Sequence, residues 1–136
     1  MTGLTGRCNC GEVSYRVTGP FSPVVACHCT ECRRASGHFV AATSAVETDL
    51  VIEGVPRWYE STPGTVRGFC PTCGANLFWR QTPGRISIWA GSIDAPTNLA
   101  LEAHIFTSEK GDYYEIADGL PRHPERLATT KEGEAC

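Results

Sequence analysis

The stretch Phe69-Cys70-Pro71-Thr72-Cys73-Gly74-Ala75-Asn76-Leu77-Phe78-Trp79-Arg80 changes character halfway along. Its first half reads as a tight turn, because Pro71 presets φ and Gly74 tolerates a positive φ. Such a turn lets backbone N–H groups point at the sulfurs of Cys70 and Cys73. From Asn76 to Arg80 the residues are apolar and β-prone, the pattern of a strand. Cys8-Asn9-Cys10-Gly11 is a tighter version of the same turn, and Glu12-Val13-Ser14-Tyr15-Arg16-Val17 behind it alternates apolar and polar, the period of a half-buried strand.

Working outward, Phe39–Thr43, Leu50–Ile52, Arg57–Tyr59, Arg85–Trp89 and Ala103–Thr107 read as further strands. Between them stand turn signals such as Gly19-Pro20, Pro63-Gly64, Pro83-Gly84 and Lys110-Gly111-Asp112. Many short strands at regular spacing predict an antiparallel all-β domain. No window sustains a helical period. A short helical turn is expected at most after Cys29 or near Pro96-Thr97-Asn98-Leu99. The 136 residues make one domain, with an ordered body over 4–120 and a polar tail over 121–136.

Net charge is −3 and the Lys and Arg residues are scattered, which predicts no nucleic-acid partner. No apolar run reaches membrane-spanning length. Residues 1–7 lack the apolar segment of a secretory signal, so a soluble, cytoplasmic protein is expected. In that compartment thiols stay reduced. The eight cysteines then read as metal ligands rather than as a disulfide framework.

Seven of them fall into Cys8-x-Cys10, Cys27-x-Cys29-x-x-Cys32 and Cys70-x-x-Cys73. Structural zinc takes four tetrahedral ligands and favours thiolates. A knuckle supplies two, so Cys8, Cys10, Cys70 and Cys73 complete one saturated site. This site would close a loop of about sixty residues, the kind of cross-link that most restricts the unfolded chain. Spacing alone leaves open a rival pairing of Cys8 and Cys10 with Cys27 and Cys29. In the preferred assignment Cys27, Cys29 and Cys32 remain as three ligands with one position free, the pattern of a catalytic zinc. The expected content is therefore two zinc ions per chain. His38 could close the second site, whereas His28, between two ligands, is expected to point away. Zn²⁺ with three thiolates carries a formal −1 and is a poor Lewis acid. Its soft character suits a fourth, incoming thiolate, so the chemistry expected is that of holding or activating a small thiol.

The motifs Gly6–Tyr15, Cys27-His28-Cys29-Thr30-Glu31-Cys32-Arg33-Arg34-Ala35-Ser36-Gly37 and Phe69–Leu77 together resemble the glutathione-dependent formaldehyde-activating enzyme family, which also includes centromere protein V. Trp89–Asp94, His104-Ile105-Phe106 and Asp118-Gly119-Leu120-Pro121 extend the resemblance over nearly the whole body. It implies a small zinc-stabilised antiparallel β-tent fold, a structural zinc shared by the first and last knuckles, and a catalytic zinc on the middle trio. It also implies a carbon–sulfur lyase-type activity, the addition of glutathione to formaldehyde to give S-hydroxymethylglutathione. The alternative function is a non-catalytic zinc module that binds a protein or small ligand on the same fold. Two departures mark this chain. Tyr113 and Tyr114 stand where relatives often carry Trp, a change expected to reshape a neighbouring surface. The span from Cys32 to Cys70 is also short beside the formaldehyde-activating members.

Among other residues, Arg33 and Arg34 are candidates for a substrate carboxylate, or a solvated pair offsetting the anionic site. Arg67, Arg80 and Arg85 are weaker candidates, since strand-face arginines are usually exposed. Trp58, Trp79 and Trp89 are expected in the core. Glu31 reads as an exposed spacer with a possible proton-carrying role. Neither His104 nor His123 has a partner evident from sequence, and Cys136 is left out of both sites.

Overall fold

Where apolar side chains alternate between Gly- and Pro-bearing turns, the backbone extends and pairs, and ten strands result among the described residues. The computed structural model describes residues 3–127. Strands β1 (Leu4–Arg7), β2 (Ser14–Val17) and β5 (Leu50–Glu53) form a three-stranded antiparallel sheet in the order β1-β2-β5. The larger sheet runs β10-β3-β4-β9-β8-β7-β6. It is built from β3 (Val24–Cys27), β4 (Val40–Val46), β6 (Arg57–Thr62), β7 (Thr65–Phe69), β8 (Asn76–Arg80), β9 (Arg85–Trp89) and β10 (Leu101–Ile105).

The strands expected from the sequence all form, five of them within two residues of the expected bounds. Three more, β1, β3 and β7, were not anticipated. β1 and β7 contain Gly6 and Gly68, which weaken a strand pattern. β3 is apolar throughout and buried throughout, so it shows no alternation. One pairing departs from the antiparallel expectation: β10 lies parallel to β3. A parallel partner cannot come from a hairpin, and β10 reaches β3 only after six intervening strands.

Among the described residues one α-helix, α1 (Thr30–Ser36), follows Cys29. Gly37 ends it in the left-handed region at φ 88°, its N–H bonded to the Arg33 carbonyl, as a C-terminal glycine cap does. The helical turn considered near Pro96 does not form; Ala95–Pro96 is a cis peptide. Among the described residues no helix is long and apolar enough to cross a membrane.

Two apolar clusters fill the interior. One gathers Val13, Tyr15, Val17, Leu77, Phe78, Ile86 and Ile88 around Cys8 and Cys70. The other gathers Val25, Val40, Ala42, Trp79 and Ile105 around Cys27 and Cys32. Phe78 and Trp79 are neighbours in β8, and the pleat sends them to different clusters. Trp79 is thus the core tryptophan expected. Trp58 is 40 % exposed, a departure explained by its place on edge strand β6, where it stacks on Phe78 at 5.7 Å.

The polar tail expected from Pro121 onward starts as bound chain. Its Pro121, His123, Pro124 and Glu125 carbonyls accept hydrogen bonds from the backbone of residues 104–108. The rest of that segment, from Ala128, lies outside the described residues.

Candidate metal centres

The two outer cysteine turns share one hydrogen-bond scheme. Cys8 N–H donates to the Val13 carbonyl at 2.9 Å, and Cys70 N–H donates to the Ala75 carbonyl at 2.9 Å. Each turn therefore closes five residues on, with Gly11 at φ 87° and Gly74 at φ 80°, a conformation glycine adopts without Cβ strain. The freed amides point at sulfur: Val13 N–H at Cys8 Sγ (3.3 Å), and Thr72 and Cys73 N–H at Cys70 Sγ (both 3.4 Å). Tertiary packing then sets the turns face to face.

All four sulfurs of Cys8, Cys10, Cys70 and Cys73 lie within 4.8 Å of one another. Cys8–Cys10 is 3.7 Å and Cys10–Cys70 is 3.8 Å. A tetrahedron with metal–sulfur bonds of about 2.3 Å has edges of roughly 3.8 Å, so this donor set fits zinc. Backbone donation from Ala75, the foremost cause, lowers the exposed Cys73 thiol to about 6. A thiol so placed ionises readily for a metal.

The middle cluster is built differently. Cys27 ends β3, Cys29 is the N-cap of α1, and Cys32 lies in the first turn of that helix. The Cys29 sulfur accepts from Cys32 N–H at 3.4 Å, and the ligand atoms of the trio also fall within 4.8 Å of one another. Among the described residues the group stops at three. His38, the rival fourth ligand, has its Nδ1 on the Tyr113 hydroxyl at 2.6 Å. His28 points away from the sulfurs, toward His104 and Tyr114. Cys27 is disulfide-bonded here; only as the reduced thiolate can it serve as a ligand.

A family model described as glutathione-dependent formaldehyde-activating enzyme matches residues 3–109. The chain belongs to that family. It is also 25% identical over 123 residues to an uncharacterized lyase of Schizosaccharomyces pombe, covering 87% of this chain and 88% of the relative. A crystal structure of a Rhodobacter sphaeroides protein shares the fold, with a TM-score of 0.57 at 24% identity, over 69% of this chain and 91% of that one.

In this member of the formaldehyde-activating family, a cavity of about 260 Å³ reaches the trio at Cys29. Cys29 lines it with Glu31, Arg67, Trp79, Gln81 and Phe106, among others. A larger cavity of about 610 Å³ lies against Cys8, Phe39, Trp89 and Asp94 and touches no member of the trio. Of the two, the smaller is the one lined by a member of the trio, Cys29, beside the charged Glu31, Arg67, Glu109 and Arg126.

Charge in that cavity comes from a residue the sequence ranked low. Arg67 is only 3 % exposed, with Nη2 at 3.8 Å from Cys32 Sγ and 3.7 Å from Glu31 Oε1. β7 is an interior strand, so its side chains are covered, unlike those of an edge strand. The hydrogen bond with Cys32 is the main cause holding the Cys29 thiol down at about 7, against burial and with help from the Arg67 charge. The same bond and burial push Cys32 up, so one of the two sulfurs ionises first. Arg33, a carboxylate candidate from sequence, donates from Nε to the Glu109 carbonyl at 2.8 Å. Arg80 pairs with Glu47 at 3.0 Å and Arg85 donates to Ser44 Oγ at 2.8 Å, both away from the trio.

Proposed function

We propose that this protein is a zinc-dependent carbon–sulfur lyase-type enzyme. In this reading Cys8, Cys10, Cys70 and Cys73 hold a structural zinc. Cys27, Cys29 and Cys32 hold a second, catalytic one. A small thiol, with glutathione the leading candidate, binds there and adds to formaldehyde or a related aldehyde. The observation that carries the proposal is the asymmetry between four sulfurs gathered by two turns and a group of three whose Cys29 lines a cavity. Membership of the formaldehyde-activating family and the lyase name of the fission-yeast relative support the reaction type.

A zinc ion at the trio would supply a soft cation that keeps a bound thiol ionised at neutral pH. The chain's own residues do the rest. Arg67 offsets the negative charge that gathers on Cys29 and Cys32. Trp79 and Phe106 give the cavity apolar walls, which strengthen electrostatic contacts by excluding water. His38, which would close the centre, is kept on Tyr113. That contact favours an open site over the non-catalytic module. In the addition, the sulfur lone pair forms the C–S bond and the carbonyl π pair moves to oxygen. That oxygen takes up the proton the thiol gives away.

Exchange NMR tests this reaction. With the full chain reduced by a phosphine and loaded with zinc, interconversion of the formaldehyde–glutathione adduct and free glutathione is expected to accelerate. A rate equal to that of buffer alone rules the reaction out.

A further inference from the structure

The cavity at the trio holds a buried cation with an unmet donor. Nη1 of Arg67 is buried and has no hydrogen-bond partner among the described residues. Nη2 has only the long contacts to Cys32 Sγ and Glu31 Oε1. Leaving a guanidinium N–H desolvated and unpaired is costly, and β7 holds this one in the sheet interior nonetheless. Offsetting thiolate charge accounts for Nη2, which faces Cys32. It does not account for Nη1.

No acceptor of the cavity lining hydrogen-bonds Nη1. The Glu109 Oε1 accepts from Thr30 N–H at 2.8 Å and its carbonyl accepts from Arg33. Glu31 has 46% of its side chain exposed and meets Arg67 only at 3.7 Å, too long for a charge-assisted hydrogen bond. The Thr65 hydroxyl accepts from Gln81 at 3.4 Å. Arg126, at the same cavity, adds a second positive charge. Glu31 and Glu109 bring carboxylates to this wall, yet neither pairs with Nη1, which leaves that edge of the guanidinium for a planar, forked acceptor such as a carboxylate.

We propose that Arg67 anchors a carboxylate of the thiol substrate. The preferred class is then a small thiol bearing a carboxylate, its sulfur toward Cys29 and its carboxylate on Arg67. Neutral thiols lack the second contact and bind weakly. This inference rests on the thiol reading above and narrows it, and it moves the anchor from Arg33 and Arg34 to a residue buried in a strand.

Calorimetric titration of the reduced, zinc-loaded full chain with 3-mercaptopropionate, 2-mercaptoethanol and propionate tests it. The mercapto acid is expected to bind about tenfold or more tighter than the neutral thiol, the scale of one charge-assisted contact. Arg67→Met should shrink that gap to about twofold, while Arg67→Lys, which keeps the charge but not the fork, retains part of it. Equal affinity of the two thiols for the unaltered protein overturns the inference and leaves the thiol reading standing. A gap that survives Arg67→Lys in full also overturns it, and this comparison holds if the Met variant does not fold. Propionate binding that depends on Arg67, with neither thiol binding, overturns the thiol reading and keeps the anion site. Absence of binding by all three overturns both.

Discussion

His28 Nε2 stands 2.9 Å from His104 Nδ1, and this contact turns the residue between Cys27 and Cys29 away from the sulfurs. The chain of bonds continues on both sides. His104 Nε2–H donates to Asp118 Oδ2 at 2.8 Å, and in the neutral tautomer that does so Nδ1 is an acceptor. His28 Nε2–H must then be the donor, and His28 Nδ1 accepts from the Tyr114 hydroxyl. One arrangement of protons satisfies every member with both imidazoles neutral. Burial first, and the neighbouring His104 second, push His28 down to about 4, in keeping with a neutral ring.

The first prediction concerns this network. His28 is fully buried, so His28→Ala opens a cavity and strands two partners. It is expected to lower stability by roughly 2–4 kcal/mol. Asp118→Ala, at a side chain 40% exposed, should lower it by less. Thermal unfolding in zinc-containing buffer measures both. An unchanged midpoint for His28→Ala would show that the network does not hold the end of β3.

The second separates the two cysteine clusters. Cys73→Ser is expected to unfold the chain, because binding energy at a structural site is folding energy. Cys29→Ser should lose about one of two zinc ions and keep the fold, because the trio does not clamp distant turns together. Metal analysis combined with circular dichroism reads both outcomes. Equal collapse of the two variants argues against one structural and one open site.

A third is a pH dependence at Tyr15. Burial raises its phenol to about 12, opposed by the hydrogen bond with Ser92. The folded value lies above the ordinary one near 10, so between pH 10 and 12 the unfolded chain binds fewer protons at this residue. Its contribution is thus complete below pH 10 and is lost as pH rises toward 12, amounting to about 2–3 kcal/mol. Tyr15→Phe removes the titrating group. Its unfolding free energy should fall less steeply over that window than that of the unaltered protein, by about one proton in the slope.

The fourth concerns Gly6, opposite Tyr15 in the β1–β2 pair. A Cβ at Gly6 would overlap the Tyr15 ring end and stand 2.6 Å from the Ser92 carbonyl. Gly6→Ala is expected to cost roughly 1–3 kcal/mol by overpacking. The double variant with Tyr15→Phe should recover only part of this, since the backbone carbonyl remains. Chemical denaturation of the two variants measures the difference.

Short-range features were legible from the residues alone. The turns at Cys8–Gly11 and Cys70–Gly74 follow from Pro and Gly placed beside thiols, and β8 and β9 form over the residues that alternation marked. β3 escaped notice because a strand covered on both faces is apolar throughout and matches no period. Arg67 was ranked low for a related reason: whether a strand-face arginine is exposed depends on whether its strand lies at an edge or inside. β7 lies between β6 and β8, which no local pattern around Arg67 reveals.

The sequence by itself therefore determined that this is a small all-β chain with three thiol clusters of metal-binding spacing, because turn chemistry and ligand spacing act over a few residues. Only the tertiary structure decided which clusters meet. Spacing left open a pairing of Cys8 and Cys10 with Cys27 and Cys29, and the fold instead puts the Cys8 turn against the Cys70 turn. It also decided that His28 faces His104, and that a buried guanidinium shares the cavity lined by Cys29. Each of these contacts joins residues tens of positions apart in the chain. Strand order and register set them, through the packing of the two cores.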